Sequence, residues 1–309
     1  MERLEKLLRE RHPLVELRVN EPMSRHTTFR IGGPAALMAL PRTAGEAKAA
    51  VKAARELGVE PFFLGNGSNL LVADEGYPGF VIKLSGRYSV DELNRVWEAN
   101  RLLVTGGAVL LSSLSGCALG RNLTGLEFAG GIPGSVGGAV TMNAGAYGGE
   151  MAQVLESVTF LDEAGEVCTL PASECGFGYR HSIFSDRKCL ILKARFHLDQ
   201  GDPAAIRARM EELAAKRREK QPLEYPSAGS MFKRPPGHFA AALIDQCGLK
   251  GLAVGGAQVS EKHAGFVINR GGATCADVLE LVRQVKERVL QQTGVELEME
   301  VKVLGGPQI

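Results

Sequence analysis

The sequence holds six cysteines, Cys117, Cys168, Cys175, Cys189, Cys247 and Cys275, but no C-x-x-C pair. None stands near histidine at zinc-finger spacing, so no metal centre is expected. In a chain of 309 residues these thiols read as reduced and mostly buried, which suits a reducing compartment. An excess of either charge is also missing. Thirty-six Lys and Arg against 35 Asp and Glu leave a formal net charge of +1, which removes the global electrostatic case for nucleic acid or an anionic membrane as partner. Aromatics make up 6% of the chain, with one Trp, too few for a stacking platform that binds single strands. No apolar run approaches the roughly 18 residues of a membrane span. The opening MERLEKLLRERHPLVEL is a charged amphipathic helix with no uninterrupted apolar core of a signal peptide. A cytoplasmic protein without a membrane partner is expected.

Glycine, by contrast, is abundant, with 38 residues, many of them clustered. Around the clusters the pattern alternates between strand and helix. Ala35 to Leu40 reads as a strand, Ala44 to Leu57 as a helix closed by Gly58, and Pro61 to Leu64 and Phe80 to Leu84 as strands. A second segment, from about Ser85 to Gln200, holds strand-like runs at Val158 to Leu161 and Cys189 to His197. A third begins near Gly201. Asp202 is a good N-cap, Pro203 a good first helical residue, and Pro222 a stop. Thr274 and Asp277 form a capping-box pattern before the stripe Val278, Val282, Val285 and Val289, and Gly294 ends that helix. The last run, VELEMEVKVLG, alternates strictly: Val295, Leu297, Met299, Val301 and Val303 share one face of a predicted strand, and Glu296, Glu298, Glu300 and Lys302 the other. The expected segments are therefore 1–84, 85–200 and 201–309.

Two loops are rich in glycine and free of charge. LGNGSNLLV, Leu64 to Val72, runs from a strand end into Gly65, Asn66, Gly67, Ser68 and Asn69. Successive backbone N–H groups in such a loop can cradle a phosphate without a lysine; a plain β-turn has the same composition. The loop fits neither G-x-x-x-x-G-K-[ST] nor G-x-G-x-x-G. GGIPGSVGGAVTMNAGAYGG, Gly130 to Gly149, has eight glycines in twenty residues. Its bareness suits either tight packing of two backbones or an extended ligand lying on the chain. A ligand with a pyrophosphate and a long body would use both loops. Three further stretches carry polar groups in loops. GYRHSIF places Tyr179, Arg180, His181 and Ser182 before an apolar run. PSAGSMFKRP sets hydroxyls beside Lys233 and Arg234, a proton donor next to an anion clamp. GLKGLAVGGAQVSEKHAGFVIN offers Lys250, Gln258, His263 and Asn269.

In order along the chain, HTTFRIGG, LGNGSNLLV, GLEFAGGIPGSVGGAVTMNAGAYGG, GYRHSIF, SAGSMFKRP, GLKGLAVGGAQVSEKHAGFVIN and ELEMEVKVLG resemble the UDP-N-acetylenolpyruvoylglucosamine reductase family, in its shorter type without a tyrosine-loop insertion. The resemblance implies an α+β fold: an FAD-binding region of two α+β lobes, akin to vanillyl-alcohol-oxidase (PCMH-like) flavoproteins, and a C-terminal α+β substrate-binding domain. It implies non-covalent FAD, with NADPH and UDP-N-acetylglucosamine enolpyruvate as substrates, no nucleic acid or membrane partner, and a monomer. Gly65, Asn66, Gly67, Ser68 and Asn69 would contact the cofactor's pyrophosphate. Gly131, Ile132, Pro133, Gly134, Ser135, Gly137, Gly138, Asn143 and Gly145 would lie along the rest of it, with Arg180 nearby.

The same resemblance implies that Ser230 protonates C2 after hydride reaches C3, with Ser227 as the local competitor. Arg180 would stabilise the enolate-like charge through its bidentate fork. Glu300, with Glu298 as competitor, would be a second polarising acid, most useful if protonated and therefore expected with a raised pKa. Lys233 would meet the substrate phosphate, and Gln258 and His263 would face the substrate. Arg234 departs from the asparagine common at its position. A flavin oxidase or dehydrogenase on the same scaffold, and a non-catalytic nucleotide-binding module, remain the alternative readings.

Overall fold

Leu4 and Leu8, four residues apart, bury one stripe of the helix Glu2–Arg11, with Glu2 and Glu5 in its first turn and Arg9 and Arg11 in its last. That placement begins a computed structural model which describes residues 1–84, 96–99 (backbone only) and 101–306. The opening of the expected second segment, 85–95, lies outside the described residues. The chain divides into two compact units, Met1–Val19 with Leu37–Asn66 and Gly79–Ala215, and Asn20–Ala36 with Gly67–Pro78 and Lys216–Ile309.

In the first unit, a sheet runs in the order Glu16–Pro22, Pro34–Leu40, Tyr77–Lys83, Pro61–Leu64. Its last pair is parallel, with Leu64 opposite Lys83. The helix Ala44–Glu56 connects Pro34–Leu40 to Pro61–Leu64 and is capped by Thr43, whose hydroxyl accepts from the Glu46 N–H at 3.1 Å. Its Ala47, Ala50, Val51 and Ala54 pack with Leu4, Leu8, Phe80 and Ile82 in one core. A five-stranded antiparallel sheet follows, in the order Val167–Pro171, Leu155–Leu161, Leu190–His197, Leu102–Gly106, Val96–Ala99. Its core gathers Leu103, Val136, Val140, Val158, Phe160 and Phe196. The expected strands at Val158 to Leu161 and Cys189 to His197 belong to this sheet.

In the second unit, Ser227–Ser230, Phe266–Asn269, Ala257–Val259 and Ala253–Val254 form an antiparallel sheet in that order. The helices Ala240–Gln246 and Cys275–Thr293 carry Leu243, Ile244, Val278, Val282, Val285 and Val289 into the same core as Phe29, Ile31 and Leu71. The Thr274–Asp277 capping box forms, and Gly294 ends the helix in the left-handed conformation.

The terminal run differs from the single strand its alternation predicts. Val301 and Leu297 are buried and Glu296 and Glu298 exposed, as expected, but only Lys302–Leu304 forms a strand, parallel to Leu70–Val72. Residues 298–300 bond instead to 231–233, through Lys233 N–H to Glu298 O (2.9 Å) and Glu300 N–H to Met231 O (2.9 Å). The run changes partners at Glu300, and alternation encodes which face is buried, not which neighbour completes the ladder.

Candidate active site

The loop that follows Pro61–Leu64 is held open. Gly67 has φ +62°, and a Cβ there would collide with the His26 carbonyl. The Thr28 N–H donates to the Gly67 carbonyl at 3.1 Å, fixing the turn. Glycine is required at this position both by conformation and by space. Among the described residues, the backbone N–H groups of Asn66, Gly67, Ser68 and Asn69 donate to no protein acceptor. Four consecutive unengaged amides, one of them on buried Gly67, form a donor set that fits a phosphate group.

The second glycine-rich loop meets the first within the first unit. Asn66 Nδ2 donates to the Pro133 carbonyl at 2.7 Å, and a Cβ on Gly65 would lie 2.7 Å from Ser135 Oγ. Ser135 caps the short helix Val136–Thr141 by accepting from the Gly138 N–H. The Val136 and Gly137 N–H groups donate to the Val109 and Gly107 carbonyls at 2.8 and 2.9 Å. That helix end is therefore closed by its own chain. The N–H groups of Gly134 and Ser135, just before it, have no protein acceptor among the described residues. Packing and ligand access divide the stretch between them. Gly137 faces the Gly107 carbonyl, Gly145 the Glu150 side chain and Gly149 the Phe128 ring, whereas Gly134 and Ser135 add free donors beside Gly65 and Asn66. Ile132 is half-buried, and Gly131 and Pro133 are exposed. Three of the eight glycines are thus required by packing, and the unengaged amides suit the uncharged cradle of a pyrophosphate-bearing cofactor such as FAD.

Asn143 ties this stretch to the expected catalytic arginine. It is 1% exposed, in a left-handed conformation with φ 43°. Its Nδ2 donates to the Gly178 carbonyl at 3.0 Å, and its Oδ1 accepts from the Ala152 N–H at 2.9 Å. Gly178 and His181 close a tight turn through two backbone bonds of 3.0 and 3.3 Å. Arg180 stands in that turn with φ 54°, a conformation that suits glycine, and its Nη2 donates to the Gly145 carbonyl at 3.4 Å. Its guanidinium also lies 5.1 Å from the Tyr179 ring centre. Behind the turn, the hydroxyls of Ser182 and Ser185 donate to the Thr141 carbonyl at 2.6 and 2.7 Å, satisfying the end of the short helix. The first unit thus brings together Gly65, Asn66, residues 131–138, Asn143, Gly145 and Arg180.

The second unit brings together Ser230, Lys233, Asn69 and Glu300. A register shift separates the pairs Ser227–Ile268 and Ser230–Phe266, with Gly229 at φ 78° inside it. Such a bulge re-aims a side chain, and it leaves Ser230 exposed while Ala228 and Met231 are buried. Ser227, the competitor, is half-buried, and its carbonyl accepts from Thr28 Oγ1 at 2.7 Å. The Glu300 N–H donates to the carbonyl of Met231, the neighbour of Ser230, at 2.9 Å. Glu298 is ion-paired with Lys233 and points to solvent. Arg234 lies over the Phe239 ring at 4.1 Å.

Gln258 and His263 are largely engaged by their own segment. Gln258 Nε2 donates to the Gly251 carbonyl at 3.0 Å and its Oε1 accepts from Arg270 at 3.2 Å. The Gly265 N–H donates to His263 Nδ1 at 3.1 Å, and burial lowers the imidazole pKa, so the ring is neutral with its proton on Nε2. Residues that sequence reasoning did not single out as supports are Thr28, under Ser227, and Met231, whose carbonyl anchors Glu300. Both act through main-chain bonds, which carry no residue-type signal.

Comparison with known proteins shows the family. A family model described as FAD binding domain matches residues 35–171, which contain both glycine-rich loops. A second, described as UDP-N-acetylenolpyruvoylglucosamine reductase, C-terminal domain, matches residues 221–304, from before Ser230 to beyond Glu300. A UDP-N-acetylenolpyruvoylglucosamine reductase of Caldanaerobacter subterraneus is 47% identical over 94% of each chain. One of Heliobacterium modesticaldum is 48% identical over 92% of this chain and 90% of its own. The chain belongs to the UDP-N-acetylenolpyruvoylglucosamine reductase family. A crystal structure of a member from Thermus caldophilus, 39% identical, aligns with a TM-score of 0.78 over 94% of this chain and 99% of that one. Membership carries the α+β fold with it. Arg180 lies between the two matched models, on the turn that Asn143 holds. No helix of the described residues is long and apolar enough to cross a membrane.

Proposed function

We propose that the chain catalyses the NADPH-dependent reduction of UDP-N-acetylglucosamine enolpyruvate to UDP-N-acetylmuramate, with FAD bound non-covalently, as a step in making peptidoglycan precursors. The observation that carries this reading is the junction of the two uncharged loops through Asn66 and Pro133, where the backbone amides of Asn66, Gly134 and Ser135 have no protein acceptor among the described residues. Gly65–Asn69 and residues 131–138 hold the cofactor's phosphates and body, with Asn143 and Gly145 shaping the wall. The chemistry that bound FAD supplies is the relay of hydride from NADPH to C3 of the vinyl group.

The chain's own residues manage charge and protons. Ser230 gives its hydroxyl proton to C2. A serine is a weak acid, so it works only against a strongly basic centre and in direct contact. Arg180 places its guanidinium at the enolate-like carboxylate, where a preorganised donor is worth about 10²–10³ in rate. Glu300 supplies a second, protonated donor there. Lys233 releases Glu298 to meet the substrate diphosphate, and Arg234 stands beside it. His263, through Nε2–H, and Gln258 line the substrate side.

We assign the cofactor region to lobes 1–84 and 85–200 and the substrate domain to 201–309. One hydrophobic cluster lies wholly within 85–200, and the other two centre on 1–84 and 201–309, the former also taking Leu161, Leu190 and Leu192 and the latter Phe29, Ile31 and Leu71; segments 20–36 and 67–78 belong to the same compact unit as the latter. A monomer in the cytoplasm, where NADPH and a UDP-sugar are both dissolved, completes the reading.

A visible spectrum tests it. The purified protein is expected to show flavin bands that NADPH bleaches without oxygen and that the enolpyruvyl substrate restores. Restoration by oxygen alone, with no response to the enolpyruvyl compound, would identify an oxidase of the same scaffold. A colourless protein that takes up no FAD would leave only a nucleotide-binding module.

A further inference from the structure

Asn69 ends the Gly65–Asn69 loop, and its side chain faces away from the loop's free amides. Its Nδ2 donates to the main-chain carbonyl of Glu300 at 3.1 Å. Its own carbonyl accepts from the Lys302 N–H at 3.1 Å. The next residue, Leu70, opens a parallel ladder against the same segment, with Leu70, Leu71 and Val72 opposite Lys302, Val303 and Leu304. The Glu300 N–H meanwhile donates to the Met231 carbonyl, next to Ser230. Glu300 is therefore held at both of its main-chain groups, its N–H by the Met231 carbonyl and its carbonyl by the Asn69 side chain, and the second hold comes from the loop with four unengaged amides.

We propose that Asn69 is a positioning residue which couples occupation of the Gly65–Asn69 loop to the placement of Glu300. The proposal rests on the reading of that loop as the cofactor's phosphate cradle and of Glu300 as an acid at the substrate. Asn66 to Asn69 present four backbone donors without protein acceptors, and the Thr28 N–H ties the turn only through the Gly67 carbonyl. An anion that engages those donors holds the turn still, and Asn69 passes that constraint to the carbonyl of Glu300. The carboxyl then sits in register with Ser230 only when the cofactor is in place. A side-chain amide suits this task because the interaction needs a neutral donor of fixed length.

The full chain tests this in two ways, with Asn69→Ala and Asn69→Leu, which keeps the branched shape and loses the donor. The first readout needs no substrate. Adding FAD to wild-type apoprotein is expected to slow amide exchange over residues 298–302, while both variants, compared at FAD concentrations that saturate each by fluorescence quenching, lose about half or more of that protection. The second is single-turnover re-oxidation of NADPH-reduced flavin by UDP-N-acetylglucosamine enolpyruvate. The Asn69 variants are expected to slow it about tenfold when Glu300 is present and less than about twofold in a Glu300→Gln background, since two residues acting as one unit are not additive. Equal slowing in both backgrounds, or full protection in both variants, overturns the coupling. If the enolpyruvyl compound does not re-oxidise the wild-type flavin, the functional reading fails, and the exchange comparison still decides the role of Asn69.

Discussion

Arg180 shows how a single residue combines strain with purpose. A non-glycine side chain at φ 54° costs roughly 1–2 kcal/mol. The turn tolerates it because the Gly178 carbonyl is held twice, by the His181 N–H and by Asn143. Arg180→Gly removes that strain and the guanidinium together. Thermal unfolding of the variant is expected at a temperature no lower than wild type, while re-oxidation of reduced flavin by the enolpyruvyl substrate falls about 10²–10³-fold. Arg180→Lys keeps the charge but not the fork and is expected to recover less than about a tenth of the loss. A glycine variant that is both markedly less stable and fully active would refute this assignment. The motif GYRHSIF placed Arg180 in the sequence; the strain did not show there, because φ is imposed by the carbonyls that close the turn.

At the scale of elements, the helices were legible and the strand partnerships were not. Asp202 with Pro203, Thr274 with Asp277, and Gly294 are local signals, and each marks a helix end in the structure. The terminal run announced its buried face but not its change of partner at Glu300, because pairing depends on residues remote in sequence, Met231–Lys233 before Glu300 and Leu70–Val72 after it. In the same way the glycine clusters announced bare backbone without dividing packing from binding. Gly67 makes the division testable. Gly67→Ala adds a left-handed strain of about 1–2 kcal/mol and a clash with the His26 carbonyl, so FAD affinity, read by fluorescence quenching, is expected to fall more than tenfold. Gly148→Ala carries the strain at φ 88° with nothing within 4 Å of the new Cβ, and it is expected to bind FAD within about threefold of wild type. The helix cap gives a second test. Hydrogen bonds from the Thr274 and Gly256 backbone N–H groups lower the Asp277 pKa below its ordinary 3.8. A carboxyl depressed in the folded state adds stability above its unfolded pKa and loses it as pH falls through the folded value. Asp277→Asn is therefore expected to be less stable than wild type at pH 7 in urea, and the difference is expected to shrink as pH falls below the unfolded value of 3.8 and through the lower folded one.

The whole molecule sets a limit on how its parts can be separated. The sequence suggested that the substrate domain begins near Gly201, and the matched C-terminal model spans 221–304. Yet the second compact unit draws on Asn20–Ala36 and Gly67–Pro78 as well. Phe29 and Leu71 are fully buried in its core and Ile31 nearly so, and Leu70–Val72 is the strand against which Lys302–Leu304 pairs. Asp74 also caps the long helix, accepting from the Cys275 and Ala276 N–H groups at 2.7 and 3.0 Å. Burial of three such side chains contributes about 1.5–3 kcal/mol each, and the lost cap about 1 kcal/mol more. That sum rivals the roughly 5–15 kcal/mol by which whole domains are stable. A fragment of residues 201–309 is thus expected to give a non-cooperative urea transition and poorly dispersed amide resonances, although it holds Ser230, Lys233 and Glu300. Adding a peptide of residues 20–36 alone is expected to leave it so, because the partner strand and the Asp74 cap are still missing. A sharp two-state transition from the fragment by itself would show that the N-terminal segments decorate this core without completing it.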